Sequence, residues 1–216
     1  MPPADGSDPT AGADGNPPAV DDADDALDAA AEAIQQGAAV VYPTETVYGL
    51  GADATDPDAV RRVFEIKGRP HSKPLSVGFA DREMLTQYLT LTDREAAFCD
   101  RFLPGPVTLL VDRDGAFPDI LVDGGDTVGV RLPDNAVARE LARRAGPITA
   151  TSANESGSPS VRRVDALAAS ITDAVGAVVD TGETPGGEST VVDIATGEIH
   201  RRGPLADEIE AWLAEH

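Results

Sequence analysis

The chain has 216 residues, of which 41% are hydrophobic, and its 38 acidic residues outnumber 17 basic ones to give a net charge of -21. This is enough apolar material for one sizeable core, and such a negative surface repels a nucleic-acid backbone unless a local cationic patch overrides it. The charge is typical of a halophilic protein in a salt-rich cytoplasm, and the single cysteine, Cys99, excludes an internal disulfide.

Residues 1–23 are rich in Asp, Gly, Pro and Ala and contain almost no large apolar side chain. Such a composition cannot offset the entropy lost on ordering, so we expect a disordered acidic tail ahead of one folded domain over residues 24–216. The tail lacks the features of a secretory signal, and no run of about 18 apolar residues occurs. We therefore expect a soluble, cytoplasmic protein without membrane association.

The first predicted elements are a helix and a buried strand. Residues 25–36 carry Ala, Leu and Ile at helical spacing, and Gly37 follows them. Residues 38–42 form a short apolar run that breaks at Pro43, so this strand should deliver residues 44–46 to a loop at its end.

A second helix is predicted over residues 57–67. Asp56 is a suitable N-cap, Pro57 fits the first helical position, and Gly68 stands just past the end. The segment that follows should therefore be a loop that begins at a helix terminus.

The remaining pattern alternates between strands and helices. Strands are predicted at residues 74–80, 104–112, 127–134, 147–152, 176–182 and 189–194, and helices at 94–103, 135–146, 164–171 and 204–216. This alternation predicts a layered α/β domain. Short links around residues 177–200 suit antiparallel pairing, so we expect a mixed sheet.

Basic residues gather in one stretch of this acidic chain. Five cations stand against the single acid Glu65 there, a local charge of +4: Arg61, Arg62, Lys67, Arg69 and Lys73. The two arginines on the predicted helix are typical of a solvated face, whereas Lys67, Arg69 and Lys73 are separated by Gly68 and prolines that limit the cost of ordering them. These three side chains predict an anion site, such as one for phosphate.

A second candidate is the serine loop, which we define as residues 152–160, "SANESGSPS". It follows an apolar strand and carries Ser152, Asn154, Ser156, Ser158 and Ser160. Hydroxyl and backbone N–H groups at a strand end can cradle a phosphate or a nucleotide, although an ordinary flexible turn has a similar composition. Thr44 and Thr46 bring further hydroxyls to another strand end.

Conventional catalytic sets are missing from the chain. The histidines are far apart, which makes a zinc site unfavourable, and neither a GxSxG elbow nor a Walker loop occurs. An enzyme built from these residues would hold anionic reactants together and neutralise charge that develops at phosphorus.

Several motifs in this order resemble those of the YrdC family, whose members include threonylcarbamoyl-AMP synthases. They are "PTETVYGLGADATDPDAVRRVFEIKGRPHSKPLSV", "PGPVTLLV", "VGVRLPD", "TSANESGSPS", "STVVD" and "RRG". The resemblance covers roughly residues 24–205. It implies a three-layer α/β domain, with helices on both faces of a twisted mixed sheet around a cationic cavity.

The resemblance also implies a reaction, in which L-threonine, bicarbonate and ATP give threonylcarbamoyl-AMP and pyrophosphate for the modification of tRNA. Mg²⁺ would be held mainly through the phosphates, no protein metal site is implied, and a downstream tRNA-modifying transferase complex would be the partner. Position by position, the resemblance places Thr46, Arg131, Ala150 and Ser189 around threonine. It places Lys67, Arg69, Lys73, Thr127, Ser152, Asn154, Ser160 and Arg201 on the nucleotide side. Lys67 on the phosphates and Arg69 are the expected catalytic residues.

Two positions depart from the family pattern, and two alternatives stay open. Lys73 stands where Asn is frequent and Gly78 where His is frequent, so the amino-acid substrate is less firmly implied than the nucleotide. One alternative is a carbamoyl-transfer relative of the same fold, which has no amino-acid carboxylate to pair with Arg131. The other is an RNA-binding module, for which a 4% aromatic content offers few stacking platforms.

Overall fold

The computed structural model describes the backbone of residues 20–216 and the side chains of residues 24–216. Residues 1–19, which make up most of the predicted acidic tail, lie outside the described residues. The first helix begins at Val20, five residues earlier than predicted.

Eight α-helices and nine strands are described. The helices are α1 (Val20–Gln35), α2 (Pro57–Lys67), α3 (Arg82–Tyr88), α4 (Asp93–Phe102), α5 (Asp119–Val122), α6 (Ala136–Ala145), α7 (Ala169–Thr172) and α8 (Ala206–Glu215). The strands are β1 (Val40–Tyr42), β2 (Gly49–Gly51), β3 (Ser76–Gly78), β4 (Val107–Asp112), β5 (Thr127–Arg131), β6 (Ile148–Ser152), β7 (Ala177–Val178), β8 (Thr190–Asp193) and β9 (Glu198–Arg201).

All nine strands form one sheet in the order β7-β1-β2-β6-β3-β5-β4-β8-β9. The pairs β1–β7, β3–β5 and β4–β8 are parallel, and the other neighbours are antiparallel. The prediction of a mixed α/β sheet is therefore confirmed.

Several local predictions were wrong. Strands β7 and β8 lie towards opposite ends of the sheet, and the antiparallel partner of β8 is β9, which was not predicted. The helix predicted over 164–171 is a 3₁₀ turn at Val164–Ala166 followed by the short α7. Strand β2 and helices α3 and α5 were also not predicted, because each offers too few residues to show a clear period.

The two faces of the sheet are covered differently. Alternate residues of β3, β4, β5 and β8, such as Val77, Leu109 and Val130, enter a large core that also contains residues of α2, α4 and α8. A smaller core on the other face joins α1 and α6 to β1 and β6. Helices therefore lie on both faces of the sheet. On the face with the smaller core, α1 and α6 cover only the end that contains β1 and β6. On the rest of this face, residues of β3, β4, β5 and β8 point into a cavity.

Helix α2 delivers the basic segment to this cavity. The Asp56 carboxylate accepts a hydrogen bond from the Asp58 N–H at 2.9 Å, and Gly68 ends the helix with a φ of 55°, a left-handed conformation that suits glycine. Both boundaries agree with the prediction. Among the described residues, none of the helices combines the length and apolar character that crossing a membrane requires.

The cap of α2 gives a test of this local account. Replacement of Asp56 by Ala removes the acceptor for the Asp58 N–H, so the free energy of unfolding should fall by about 1 kcal/mol. The exposed residue Glu65 on the same helix provides the control, and Glu65→Ala should change stability by less than about 0.5 kcal/mol. Urea unfolding measures both variants, and equal effects would contradict the role given to Asp56.

Candidate functional site

The uncovered face of the sheet borders a cavity of about 510 Å³. Strands and loops share its wall, and the polar and charged lining residues are Thr46, Arg69, Ser76, Thr108, Arg131, Thr151, Ser152, Asn154, Ser158, Ser160, Glu188, Ser189, His200 and Arg201. A cavity of this size, with convergent polar groups on several elements, is the default candidate for a small-molecule site.

Nine of the twelve site residues named from the sequence line this cavity. They are Thr46, Arg69, Arg131, Ala150, Ser152, Asn154, Ser160, Ser189 and Arg201. Lys67, Lys73 and Thr127 do not line it. The segments predicted to form the site are therefore brought together, although not every side chain points into the same space.

Lys67 lies behind the cavity wall. Its side chain is buried, and its Nζ donates hydrogen bonds to the carbonyls of Ser152 and Asn154, the second at 2.6 Å. The Lys67 carbonyl in turn accepts from the Ser156 N–H at 2.8 Å. Lys67 thus fastens α2 to the serine loop, which differs from the expected direct contact with phosphates.

The surroundings of Lys67 also change its acidity. Burial is the larger cause, and the nearby Arg69 guanidinium the smaller one, of a pKa lowered from 10.5 to about 8. Because a neutral amine retains two N–H groups, Lys67 can keep donating to both carbonyls after it loses its proton.

Arg69 is the member of the basic loop that reaches the cavity. Its guanidinium donates to the carbonyls of Lys73 (2.7 Å) and Pro74 (3.0 Å), so the loop curls around it. Lys73 itself is exposed and contributes this carbonyl. The three cationic side chains predicted to form one anion site are therefore not all at the cavity, because Lys67 is buried behind its wall and Lys73 is exposed to solvent.

The serine loop is internally braced. The Asn154 side chain donates to the carbonyls of Glu155 (2.8 Å) and Ser158 (2.7 Å), while its Oδ1 is buried without a partner among the described residues. With Lys67 behind it, the loop presents Ser152, Ser158 and Ser160 to the cavity. This ordering argues against an ordinary flexible turn.

Arg131, at the end of β5, is paired before any ligand binds. Its Nη2 donates to the Glu45 carboxylate, and both side chains are nearly buried. Within the described residues, neither Glu45 Oε2 nor Arg131 Nε has a hydrogen-bond partner. Thr46 lies beside this pair, with its hydroxyl 3.0 Å from that of Thr44.

Ser189 and Arg201 form another part of the cavity wall. Arg201 donates to the Ser189 carbonyl and hydroxyl, each at 2.8 Å, and the Ser189 hydroxyl lies 2.9 Å from that of Thr108. Burial lowers the pKa of Arg201, an effect that Glu188 opposes and Arg131 reinforces. Burial and the proximity of Arg201 likewise lower the pKa of Arg69, so three guanidinium groups act on the same region.

Thr127 lies beyond this wall. It lines a neighbouring cavity of about 180 Å³ that shares Leu110 with the main one. Thr127 points to the same face of β5 as Gly129 and Arg131. It therefore belongs to the same sheet surface as the main cavity but lies outside that cavity.

The sequence interpretation missed several lining residues, among them Ser76, Thr108, Glu188 and His200. A signal was present for Ser76 and Thr108, because each is a polar residue next to apolar ones in a strand, and neighbouring residues of a strand point to opposite faces of the sheet. Glu188 and His200 carried no comparable signal. Gly78 lies beside Ala150, and a Cβ there would meet only ordinary contacts of 3.6 Å or more, so the chain leaves space next to this predicted threonine-site residue.

Comparison with known proteins identifies relatives along most of the chain. Residues 32–203 match the model of the Sua5, YciO and YrdC family, described as "Telomere recombination". Threonylcarbamoyl-AMP synthase of Pyrococcus abyssi is 42% identical over 86% of this chain and 56% of its own length, and that of Bacillus subtilis is 39% identical over 77% and 49%. The chain thus spans about half the length of these two relatives, whereas it covers 96% of the Shigella boydii synthase at 36% identity.

Solved structures show the same relationship. Pyrococcus abyssi Sua5 complexed with L-threonine superposes with a TM-score of 0.77 at 39% identity, covering 86% of this chain and 56% of that one. Escherichia coli YciO superposes with a TM-score of 0.72 at 25% identity, covering 82% and 88%. The motifs, the mixed sheet and these matches agree, and the chain belongs to the Sua5, YciO and YrdC family.

Proposed function

We propose that this protein is an L-threonylcarbamoyladenylate synthase, a nucleotidyltransferase that uses L-threonine, bicarbonate and ATP. The observation that carries the proposal is that one cavity is lined both by residues assigned to threonine, such as Thr46 and Ser189, and by residues assigned to the nucleotide, such as Arg69 and Asn154. Relatives of this name, and the relative complexed with L-threonine, support it.

The proposed reaction has two steps. The threonine amine attacks bicarbonate, and loss of water leaves a carbamate. A carbamate oxygen then attacks the α-phosphorus of ATP, while the bond from that phosphorus to the bridging oxygen breaks and pyrophosphate leaves with the electron pair. Catalysis of this kind depends on positioning and on compensation of phosphate charge.

The cavity arginines suit these demands. Arg69 and Arg201 compensate charge on the phosphates, and Arg131 binds the threonine carboxylate. Lys67 acts as a positioning residue, because its ammonium contacts the serine-loop backbone and lies outside the cavity lining.

The setting of the reaction is also part of the proposal. Mg²⁺ would enter with the phosphates of ATP and be held mainly through them. We place the enzyme in a salt-rich cytoplasm, with residues 24–216 as its catalytic domain behind an acidic tail. A tRNA-modifying transferase complex would receive the adenylate and complete the threonylcarbamoyladenosine modification.

Both alternatives are less well supported. A carbamoyl-phosphate site needs unpaired cations, because its ligand carries more than one negative charge. The positive charge of Arg131 is already balanced by the Glu45 carboxylate, and such a pair suits a zwitterionic amino acid. An RNA-binding module would need cations spread along a surface, but Lys67 is buried and Arg61 is paired with Asp58.

Substrate omission tests the function directly. Pyrophosphate release should require L-threonine, bicarbonate and ATP together, because the carbamate must form before phosphorus is attacked. The measurement follows pyrophosphate while each substrate is omitted in turn, with carbamoyl phosphate in place of threonine and bicarbonate as a further arm. Release that ignores threonine would overturn the assigned substrate, and release driven by carbamoyl phosphate would support the carbamoyl-transfer alternative.

The basic segment provides a matched pair of arginines. Arg69→Ala should lower kcat/KM for ATP at least tenfold, about 1.4 kcal/mol, because a guanidinium at the cavity is lost. Arg62→Ala removes an exposed guanidinium that contacts the Gly37 carbonyl outside the cavity, and should leave turnover within about twofold. Steady-state kinetics with ATP as the varied substrate makes the comparison, and similar losses in both variants would refute the distinction.

The role of Lys67 has a signature in stability. Lys67→Met leaves the Asn154 carbonyl without its donor and removes one of two donors from the Ser152 carbonyl, so it should lower the free energy of unfolding by about 1–3 kcal/mol. Between pH 8 and 10 the unfolded wild type holds a proton at this residue that the folded protein has released, so the stability of wild type relative to Lys67→Met should rise with pH.

Urea unfolding at pH 7.5 and 9.5 measures this difference, with the exposed Lys73→Met as the control that should show neither effect. A relative stability that falls across this range, or a Lys67→Met protein as stable as wild type at both pH values, would contradict the positioning role.

A further inference from the structure

Thr108 belongs to a buried chain of hydrogen bonds at the cavity wall. Its hydroxyl lies 2.9 Å from that of Ser189, which accepts from Arg201 Nη2 at 2.8 Å. Thr108 is 3% exposed and Ser189 is 2% exposed, yet both line the cavity. Neither the sequence motifs nor the resemblance assigned a role to Thr108.

The direction of these hydrogen bonds can be worked out by counting protons. A guanidinium has no acceptor, so Arg201 must donate to Ser189. The two hydroxyls carry one proton each and share a single hydrogen bond, and the described residues offer neither hydroxyl another acceptor. One hydroxyl proton is therefore left for a ligand in the cavity.

Two arrangements are possible, and each leaves one hydroxyl proton for a ligand oxygen that carries negative charge. If Thr108 donates to Ser189, both lone pairs of Ser189 Oγ are filled, by Thr108 and by Arg201, and its own proton points to the ligand. Each bond in this chain polarises the next, which strengthens donation to an anion. An ammonium group would find no acceptor at Ser189 in the same arrangement.

The position of Thr108 supports this arrangement. A Cβ added to Gly129 would stand 3.0 Å from Thr108 Cγ2, so the threonine methyl packs over the glycine on the neighbouring strand while the hydroxyl faces Ser189. Packing of the methyl group holds the hydroxyl in one orientation. The guanidinium groups of Arg131 and Arg201 flank the region and favour an anionic group there.

We propose that Thr108 is a positioning residue that makes Ser189 a fixed hydrogen-bond donor to the carboxylate of the amino-acid substrate. The proposal rests on the proposed function, since it concerns the threonine side of the same cavity. It adds that the orientation of the bound L-threonine depends on the Thr108 hydroxyl, which lies behind Ser189.

Two substitutions separate the hydroxyl of Thr108 from its bulk. Thr108→Val keeps the shape and removes the donor, and should raise the Kd for L-threonine about tenfold while the Kd for ATP stays within about twofold. Thr108→Ser restores the hydroxyl and should bring the Kd for L-threonine back to within about threefold of wild type. Calorimetric titration of each ligand into the 216-residue chain gives these values.

One control tests whether the substrate carboxylate is the group that Ser189 contacts, and a second tests the effect of losing a buried hydroxyl elsewhere in the sheet. With L-threoninol, which lacks the carboxylate, Thr108→Val and wild type should bind equally. Thr149→Val removes a buried hydroxyl on β6 that contacts the backbone of Leu50 and Ala52, away from the cavity lining, and should leave the Kd for L-threonine within about twofold.

The outcomes distinguish this inference from the function on which it rests. The role of Thr108 alone would be overturned if Thr108→Val bound L-threonine like wild type. It would also be overturned if the variant lost affinity for L-threonine, L-threoninol and ATP in equal proportion. Wild-type protein that binds ATP but no L-threonine would overturn the proposed function, and the inference with it.

Discussion

The contact between the Lys67 ammonium and the serine loop is the interaction on which the rest of the site depends. Lys67 is the last residue of α2, and the carbonyls that it binds belong to Ser152 and Asn154, at the end of β6 and just beyond it. One buried side chain thus joins two segments that are 85 residues apart in the chain. Without it, the Asn154 carbonyl would lack a donor and the Ser152 carbonyl would keep only the Asn154 N–H, so the loop that carries Ser152, Asn154 and Ser160 would lose its side-chain anchor to α2.

The incomplete cover on one sheet face explains why a cavity exists at this place. Helices α1 and α6 pack together over β1 and β6, and Arg144 of α6 pairs with Asp24 and Asp28 of α1. None of the described helices lies over the part of that face formed by β3, β4, β5 and β8, so its alternate residues can be polar without a cost of burial in an apolar core. The fold therefore places hydroxyls and guanidinium groups on a rigid surface, which limits the entropy lost when a ligand binds.

Sequence reasoning succeeded where a pattern is local and failed where it depends on pairing between distant segments. The limits of α2 followed from Asp56, Pro57 and Gly68, and the strand before the serine loop followed from its apolar run. The partner of β8 could not be predicted, because nothing within a strand of four residues specifies which edge it meets. Charge alone indicated Lys67, Arg69 and Lys73, but the direction of each side chain depends on tertiary contacts, and only Arg69 reaches the cavity.

The high negative charge of the protein and its arginine-lined cavity are compatible because the two act over different distances. Exposed charges that lie more than about 8 Å apart are largely screened from one another at physiological ionic strength, and this distance is shorter in stronger salt. The nearly buried pair of Arg131 and Glu45 is screened much less, since solvent ions do not enter between the two groups. A carboxylate in the cavity would therefore meet a field set by Arg131, Arg201 and their immediate partners rather than by the net charge of -21. Fixed local pairing, together with the proposed donation from Ser189, would allow an acidic protein to bind an anionic group.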